Sequence, residues 1–546
     1  MDWPGKGSDP VQGLGKAWLL GLALVALLLW ALLGGLNLYW ADLNQDEGWY
    51  LYAADLVIAG EVPYRDFAFT QGPLLPYIYA PARAVLAEGG LAAMRGFTLL
   101  LALPVLFLAA ATAARLAPAR LSGLAAITAF LLLAVNVYHS QFTALVKTYS
   151  LTTLFVACGL PAFAMATDRE RPVAGMLAGF FLAAAAATRL SAGFLLAGLC
   201  LHTLAHPRLR TTRAWFYLGI GGAIGLAFVF LPFFVLAPEG FLFGLFQYHA
   251  GRSAGSLGAA LVYKAGFLSR FAGAYFVAAG LALGLLLLRL LQPGARPNDE
   301  RPAHPGIGAL WTAAAAATLV HLAAPFPYDD YQVIVFPFIA VALGAGLAHS
   351  LHRLSPAPPP GAQDPVLPWA RWTALLLLLA STGAAFSSPL NQDWFVRGRH
   401  RIWWELKEQS PIRHLQHVGA DLRDRTQPGD EILTQDVYLA VEARRRVPRG
   451  MELGPFSYFP DMDPLRAATL HVLNEESLLA LLAESPAPVA AFSGYGLAIR
   501  SPQIEPVQEW EARRLRRALE GRFRLVEEVP HFGQAHTTLR IYERID

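Results

Sequence analysis

An acidic pair, Asp46 and Glu47, follows the first long apolar stretch of the chain, residues 18–38. That stretch has the roughly 20 residues that a membrane-spanning helix needs, so the pair is expected at a membrane surface. A carboxylate there can accept the proton of a hydroxyl or amine while that group attacks an activated sugar carbon, which is general-base catalysis. The alternative is an exposed acidic pair in a loop, and the two residues alone do not exclude it.

Two isolated basic residues provide the positive charge that an anionic lipid phosphate would need. Lys147 lies in 144–149 at the start of a predicted span, and Arg189 lies in 187–191 between two predicted spans. Both depart from the tendency of basic residues to lie on the cytoplasmic side, which favours phosphate binding. The alternative is that their side chains only extend to the membrane interface.

A third candidate group combines aromatic and acidic residues in the segment 327–331, between two later spans. Its members are Tyr328, Asp329, Asp330 and Tyr331. We interpret them as a sugar-binding or lipid-phosphate-binding group, the alternative being an interfacial aromatic belt. The segment 241–253 is predicted to be amphipathic and to lie on the outer surface, with His249 interfacial. No spacing of His, Cys, Asp and Glu indicates a metal site, and we assign no metal.

The elements that must position these residues are hydrophobic helices. Of the 546 residues, 55% are hydrophobic and 15% are charged, which excludes a soluble protein with one ordinary core. We predict an all-α polytopic membrane protein with about eleven transmembrane helices. The predicted spans are 18–38, 91–113, 121–138, 149–167, 172–188, 191–206, 214–236, 271–291, 306–324, 331–350 and 370–388.

The charged loops predict the orientation of these spans. Basic residues concentrate in alternate loops, which are therefore expected in the cytoplasm. The basic residues on which this rests are Arg115, Arg120, Arg169, Arg171, Arg208, Arg210, Arg213, Arg289, Arg296, Arg301, Arg353 and Arg371. With an odd number of spans, the N-terminus is cytoplasmic and the C-terminus is extracytoplasmic. The chain has no Asn-x-Ser/Thr site, which favours a bacterial plasma (inner) membrane.

After residue 388 the composition changes, because charged residues become frequent and apolar runs become short. We predict a membrane domain over 1–389, with an outward loop at 40–90, and a soluble extracytoplasmic α/β domain over 390–546. A proline-rich stretch, 355–368, is predicted to connect the last two spans. In the soluble domain we predict helices at 411–423, 437–445, 477–484 and 510–519, and strands at 431–434, 488–492, 523–529 and 537–542.

The first outward loop carries the most specific pattern, namely 46–50 (DEGWY), 60–67 (GEVPYRDF) and 71–77 (QGPLLPY). This pattern resembles the first extracytoplasmic loop of the integral-membrane glycosyltransferases of the C superfamily (GT-C), in the branch of protein O-mannosyltransferases and lipid A aminoarabinose transferases. That family has an Asp-Glu pair after the first span and, further on, a Pro-Leu motif leading into a short helix. Where the aminoarabinose branch has Lys-Pro-Pro-Leu, this chain has Gln71 and Gly72 before Pro73 and Leu74, so that branch's specificity is not transferred.

The resemblance implies a GT-C membrane core and transfer of a sugar from a polyprenyl-phosphate donor on the outer membrane face. Asp46 aligns with the family's catalytic base, and Glu47 with a neighbour that helps to position the substrate or the base. Asp66, in the same loop, is the best rival base. The complete set of candidate substrate-binding residues is Tyr50, Tyr64, Asp66, Gln71, Lys147, Tyr149, Arg189, Tyr328, Asp329, Asp330 and Tyr331.

The expected partners are membrane lipid and the lipid-linked donor, with no nucleic acid, no certain cofactor and no indication of a divalent metal. The acceptor is left open as a protein, a lipid or a glycan, and the oligomeric state is also open. Two other classes compete with a hexosyl- or pentosyltransferase: a transporter or flippase of lipid-linked glycans, and a non-catalytic envelope assembly protein. Against a transporter, the sequence has no obvious internal repeat and no broken helices in matching halves.

Overall fold

The computed structural model describes residues 15–168, 171–252, 256–291, 304–354, 364–387 and 407–545. The predicted domain boundary near 390, most of the proline-rich connector, and the basic residues Arg169, Arg296 and Arg301 lie outside these ranges. The boundary therefore stays a prediction.

Helices form the whole of the described chain before residue 388, apart from short connections. Each of the eleven predicted spans overlaps one or two of them. The helices are α1 (Lys16–Trp40), α2 (Gln45–Ile58), α3 (Leu74–Leu86), α4 (Gly90–Leu116), α5 (Ser122–Ala134), α6 (Val137–Ala144), α7 (Thr148–Asp168), α8 (Pro172–Ala186), α9 (Gly193–Ala205), α10 (Pro207–Arg210), α11 (Ala214–Leu236), α12 (Pro238–Leu242), α13 (Tyr248–Ala250), α14 (Leu257–Ala274), α15 (Phe276–Leu290), α16 (Pro305–Ala323), α17 (Phe336–Leu354) and α18 (Val366–Ala385).

Among the described residues, six segments are long and apolar enough to cross a membrane, and the number rises to eight if two bent helix pairs are counted as spans. The bent pairs are α5–α6, with an angle of 64°, and α14–α15, with an angle of 88°. Helices α8 and α9 are apolar but shorter, and α17 does not meet the same criterion. The protein is thus a polytopic membrane protein, while the number of eleven spans stays a prediction.

The bend between α5 and α6 explains why 121–138 is not one straight helix. Asn136 interrupts the helix with an extended backbone, and its side chain accepts a hydrogen bond of 2.8 Å from the backbone N–H of His139. This is an N-cap, so a new helix begins at Val137. The chain then turns back at residues 145–147 before α7, which places Lys147 at the mouth of the next span.

Two helices of 14 and 13 residues, α2 and α3, occupy the predicted outward loop. Helix α2 begins at a capping box: the Asn44 side chain caps the first turn, and the Glu47 carboxylate accepts a 3.1 Å hydrogen bond from the backbone N–H of Asn44. Helix α3 begins at Leu74, directly after the Pro73 of the predicted Pro-Leu motif. This loop is therefore an ordered helical layer, which we call the outward layer after its predicted orientation.

The C-terminal part is the α/β unit that the sequence predicts. Its main sheet has the strand order β1-β2-β6-β5, in which β1 and β2 are parallel and the other neighbours are antiparallel. Every predicted helix and strand of this domain is present, with small shifts at the ends. The strands are β1 (Ile432–Leu433), β2 (Val489–Phe492), β3 (Ile499–Arg500), β4 (Glu505–Pro506), β5 (Phe523–Phe532) and β6 (Thr537–Arg544), and the helices are α19 (Pro411–Asp424), α20 (Val437–Ala443), α21 (Pro464–Thr469), α22 (Glu475–Glu484) and α23 (Glu509–Glu520).

This domain packs directly on α2, α3 and the start of α4. Gly48 of α2 is required at the contact, because a Cβ there would lie 2.4 Å from the backbone nitrogen of Tyr438. Polar contacts surround it: Gln45 Nε2 to Asp436 Oδ1 (2.7 Å), Arg83 Nη2 to the Val441 carbonyl (3.1 Å), the Leu91 N–H to Glu442 Oε2 (2.9 Å), and Arg449 Nη1 to Glu61 Oε2 (2.7 Å). The domain is therefore joined to the layer that carries the acidic pair.

Candidate active site

A cavity of about 510 Å³ lies where the outward layer, the ends of several spans and the C-terminal domain meet. Nine of the thirteen candidate site residues line it: Asp46, Tyr50, Gln71, Lys147, Tyr149, Arg189, Tyr328, Asp330 and Tyr331. A larger groove, of about 1010 Å³, lies between α1 and α19 and contains none of them. Residues from distant parts of the sequence thus converge on the smaller cavity.

Asp46 lies in the first turn of α2, where the exposed backbone N–H groups of a helix favour negative charge. Its Oδ2 atom is 3.0 Å from Lys147 Nζ, and its Oδ1 atom accepts a hydrogen bond of 3.2 Å from Trp49 Nε1. The side chain is one quarter exposed and borders the cavity. Asp46 is therefore a fixed carboxylate that a bound molecule can reach.

Lys147 lies between two carboxylates, because its Nζ atom is also 3.3 Å from Asp330 Oδ2. Burial alone would lower the pKa of Lys147, but Asp46 and Asp330 outweigh burial and raise it. The ammonium group therefore stays protonated. It links the acidic pair of the first loop to the aromatic and acidic segment 327–331, which the sequence could place only on the same side of the membrane.

Glu47 is completely buried and does not border the cavity. Its carboxylate forms a two-point ion pair with Arg95, with Oε2 2.6 Å from Nη2 and Oε1 2.7 Å from Nε. The same carboxylate accepts a 3.1 Å hydrogen bond from the Val146 N–H, next to Lys147. These contacts favour a role in positioning Asp46 and Lys147 over contact with the substrate.

Arg189 follows α8 and enters the cavity between two aromatic rings. Its guanidinium carbon lies 4.9 Å from the ring centre of Tyr149 and 4.4 Å from that of Tyr331, within the range of cation–π contacts. Its Nη1 atom donates a 3.2 Å hydrogen bond to Thr148, and its Nε atom is buried without a hydrogen-bond partner among the described residues. No carboxylate in the described part of the chain forms an ion pair with it.

The residues just before Arg189 in the sequence are held by a close backbone contact with Gly72. A Cβ at Gly72 would lie 2.0 Å from the carbonyl oxygen of Ala187, so a larger residue would push the two segments apart. The N–H of Leu74 donates to the same carbonyl at 3.3 Å. Gly72 therefore brings Gln71 next to the chain that carries Arg189.

The segment 241–253 corrects a prediction. Its described residues form short helical turns, including α12, a π-helical turn at 243–247 and α13, and Tyr248, His249 and Arg252 line the cavity. The segment therefore contributes a wall of the cavity, and it does not simply lie on the surface. The aromatic residues of this segment indicated contact with the membrane, but the segment packs against the outward layer. A Cβ at Gly244 would lie 2.1 Å from the Phe69 carbonyl oxygen.

Arg252 is the main functional candidate that the sequence did not single out. Its guanidinium carbon lies 5.2 Å from the ring centre of Tyr248, and its Nε atom is buried without a hydrogen-bond partner among the described residues. Burial lowers the pKa of the neighbouring His249 to about 4, and the positive charges of Arg252 and Arg189 act in the same direction. His249 is therefore neutral at pH 7, and its Nε2 atom donates a 2.9 Å hydrogen bond to the Thr70 carbonyl oxygen.

Three further candidates do not reach the cavity. The Tyr64 hydroxyl donates to the backbone carbonyl of Gln71, and Asp66 pairs with Arg65 at 2.7 Å and accepts a hydrogen bond from Val62. Asp329 accepts hydrogen bonds from Tyr138 and, at 2.7 Å, from Arg270. Their contacts favour holding the local structure over binding a substrate.

Sequence reasoning also missed a second group, formed by His321 and its two hydrogen-bond partners. His321 of α16, which borders the cavity, contacts Ser191 Oγ at 2.9 Å and Gln332 Nε2 at 3.2 Å. Nothing in the local sequence distinguishes this histidine from one that only packs in a helix. In the described part of the chain, no three His, Cys, Asp or Glu side chains are grouped as a metal would require.

The sequence matches no protein-family model and no curated protein. The fold, in contrast, is similar to those of solved glycosyltransferases. ArnT from Cupriavidus metallidurans, in a crystal structure bound to undecaprenyl phosphate, superposes with a TM-score of 0.60 and 14% identity, over 96% of this chain and 98% of that chain. The oligosaccharyltransferase of Archaeoglobus fulgidus in the apo form superposes with a TM-score of 0.52 and 12% identity, over 87% and 69%. This chain therefore shares its fold with these two proteins, which confirms the fold predicted from the sequence.

Proposed function

We propose that the protein transfers one sugar from a polyprenyl-phosphate donor to an acceptor, in the cavity that contains Asp46 and on the outer face of the membrane. The fold and the membrane-spanning helices support the class of enzyme. The crystal structure of ArnT, which has a similar fold, contains undecaprenyl phosphate, and this supports a polyprenyl phosphate as the donor lipid. The identity of the sugar, hexose or pentose, is not part of the proposal.

One observation carries the proposal: Arg189 and Arg252, two guanidinium groups that form no ion pair with a carboxylate among the described residues, face the same cavity as the carboxylate of Asp46. A buried cation without a counter-ion is unfavourable unless an anion binds beside it. A donor phosphate would supply that anion, and guanidinium groups bind phosphate oxygens through paired hydrogen bonds. The cavity therefore has separate places for an anion and for a general base.

The chemical step follows from this separation. The acceptor oxygen or nitrogen attacks the anomeric carbon of the donor sugar, the bond from that carbon to the phosphate oxygen breaks, and the acceptor's proton passes to Asp46. The leaving group is the polyprenyl phosphate, whose additional negative charge Arg189 and Arg252 stabilise. Lys147 holds the Asp46 carboxylate in place, with its Nζ atom 3.0 Å from Asp46 Oδ2.

Transfer of labelled sugar is the test. Purified protein is mixed with radiolabelled undecaprenyl-phosphate-linked sugars and a detergent extract of membranes from a strain that lacks the protein, which supplies the acceptor. We expect Asp46→Asn to lower turnover about 10²-fold or more while the protein still folds, because asparagine keeps the shape but cannot accept the proton. Asp66→Asn, the matched control in the same loop, should keep near-normal turnover, because Asp66 lies outside the cavity.

Each other result has a clear meaning. Activity that survives Asp46→Asn but not Asp66→Asn would show that the base is misassigned. Activity that survives both would contradict the mechanism. Binding of undecaprenyl phosphate without any transfer by the wild-type protein would favour a transporter or an assembly protein over an enzyme.

A further inference from the structure

The cavity has two chemically different sides. All of its Lys, Arg, Asp and Glu side chains come from the membrane part of the chain, whereas the C-terminal domain contributes only uncharged residues. These uncharged residues are Phe456, Tyr495, Ile499, Ile504 and Gln534. Each is partly exposed and so available for contact with a bound molecule.

Given the function proposed above, on which this inference rests, we propose that the C-terminal domain forms the acceptor side of the active site. We further propose that this side selects an acceptor whose reacting part is uncharged and has an apolar face. The C-terminal domain then determines which acceptor binds, in addition to covering the donor.

The charge balance of the cavity is the first argument. Its described lining contains three basic side chains, Lys147, Arg189 and Arg252, and two acidic ones, Asp46 and Asp330, a surplus of one positive charge. The phosphodiester of a polyprenyl-phosphate sugar carries a single negative charge, which balances that surplus. An acceptor with its own phosphate or carboxylate would then enter a buried site without a free cation, which is unfavourable.

The hydrogen bonds of Tyr495 are the second argument. Its hydroxyl oxygen accepts a 3.3 Å hydrogen bond from Gln534 Nε2, while Gln534 Oε1 accepts a 2.9 Å hydrogen bond from the backbone N–H of Gln45. The hydroxyl proton of Tyr495 has no acceptor among the described residues and is free to be donated to a ligand oxygen. Because Gln45 directly precedes Asp46, this chain of contacts fixes Tyr495 relative to the proposed base.

The apolar residues that the C-terminal domain adds to the cavity are the third argument. Phe456, Ile499 and Ile504 line the same cavity as Tyr495 and offer surface that gains by contact with another apolar surface. A pocket lined mainly by apolar groups with a few fixed polar atoms is typical of sites that select uncharged molecules. One donated hydrogen bond and an apolar wall together describe an amphiphilic, uncharged acceptor group.

The experiment compares Tyr495→Phe, which removes only the hydroxyl, with Tyr542→Phe, a tyrosine of the same domain outside the cavity. Two quantities are measured on the full-length protein: the concentration of the deletion-strain membrane extract that gives half-maximal transfer, and the affinity for undecaprenyl phosphate alone. We expect Tyr495→Phe to raise the first about 5- to 10-fold and to leave the second unchanged. Tyr542→Phe should change neither.

The outcomes separate this inference from the proposed function. If the wild-type protein transfers sugar but Tyr495→Phe changes neither quantity, or weakens undecaprenyl phosphate binding equally, the acceptor side is misplaced. Mass spectrometry of the labelled product gives the second criterion: a sugar attached to a group that bears a phosphate or carboxylate contradicts the selection of an uncharged group. If the wild-type protein transfers no sugar at all, the proposed function fails, and this inference fails with it.

Discussion

Lys147 and Arg189 looked equivalent in the sequence, since each is an isolated basic residue at the outer end of a span. The structure separates them by their neighbours: Lys147 is neutralised by Asp46 and Asp330, whereas Arg189 contacts aromatic rings and a hydroxyl. Only the second arrangement leaves a positive charge available to a phosphate. Arg252 has the same character as Arg189, beside Tyr248.

The first prediction concerns these two arginines. Arg189→Ala and Arg252→Ala should each weaken binding of undecaprenyl phosphate about 10- to 150-fold, because a hydrogen bond between charged groups contributes about 1.5 to 3 kcal/mol. Direct binding to the detergent-solubilised protein measures this. Arg65→Ala is the control, since Arg65 is an exposed arginine of the first loop that pairs with Asp66. Unchanged affinity in both cavity variants would remove the basis for the donor site.

At the level of single residues, most candidates chosen by residue type and membrane side line one cavity, while their roles stay predictions. Asp46, Lys147, Arg189 and Asp330 all line it, although 284 positions separate the first from the last. It could not separate Asp329 from Asp330, since adjacent residues on a turn point in different directions. Nor could it identify Arg252, because a lone arginine beside aromatic residues is equally typical of a membrane surface.

Among the elements, the junction of α1, α2 and α4 is the one that fixes the proposed base. Arg95 of α4 donates to the carbonyl oxygens of Leu38 and Ala41 at the end of α1, both at 3.1 Å, and pairs with Glu47 of α2. The guanidinium group thus satisfies carbonyls at the end of one helix and a carboxylate at the start of the next. The buried side chain of Arg95 therefore holds the end of α1, the start of α2 and helix α4 together.

The second prediction tests whether Glu47 is structural. Glu47→Gln removes the negative charge from a completely buried ion pair and leaves Arg95 without a counter-charge, which costs about 3 to 5 kcal/mol. We expect a clearly lower thermal unfolding midpoint in detergent, with Asp46→Asn, one residue away, close to the wild type. A Glu47→Gln protein with normal stability but no transfer would instead indicate a direct role in catalysis.

Element boundaries were predictable where one physical signal dominated. The amphipathic helices and alternating strands of the C-terminal domain follow their apolar periodicity, so each was predicted to within a few residues. The break at Asn136 and the bend at Tyr275 were not, because a polar or aromatic residue inside an apolar run does not by itself end a helix. Helix α2 was also missed, although its capping box, Asn44 with Glu47, is a recognisable signal.

In the whole molecule, the C-terminal domain and the outward helical layer share a buried contact region that includes charged groups. Glu452 is almost completely buried and accepts a 2.7 Å hydrogen bond from the Gly450 N–H. Arg449, which pairs with Glu61 across the contact region, lies 3.6 Å from it, and the Tyr52 ring of α2 is also near. Burial raises the pKa of Glu452 to about 7, although Arg449 opposes this increase.

The third prediction is a pH dependence of stability. The pKa of Glu452 is higher in the folded protein than its usual value of 4.5. The contribution of Glu452 to the free energy of unfolding is therefore fully present below pH 4.5 and is lost as the pH rises to about 7. Glu452→Gln removes this titration, so it should gain stability relative to the wild type between pH 5 and pH 8, on the order of 2 kcal/mol. Unfolding midpoints of the solubilised protein at both pH values measure it. The exposed Glu484→Gln is the control and should show no such difference.

The last prediction concerns the orientation of the whole molecule, on which the location of the reaction depends. The cavity lies on the side of the membrane that carries the first loop, and the basic-residue rule places that side outside the cytoplasm. Glu88 in this loop is 86% exposed, and Arg210 is exposed at the opposite end of the helices. In a protein whose Cys158 and Cys200 are replaced by alanine, Glu88→Cys should react with a membrane-impermeant thiol reagent on intact spheroplasts. Arg210→Cys should react only after the membrane is permeabilised. The reverse pattern would place the cavity in the cytoplasm, and the C-terminal domain with it, because the two are joined by direct contacts such as that between Gln45 and Asp436.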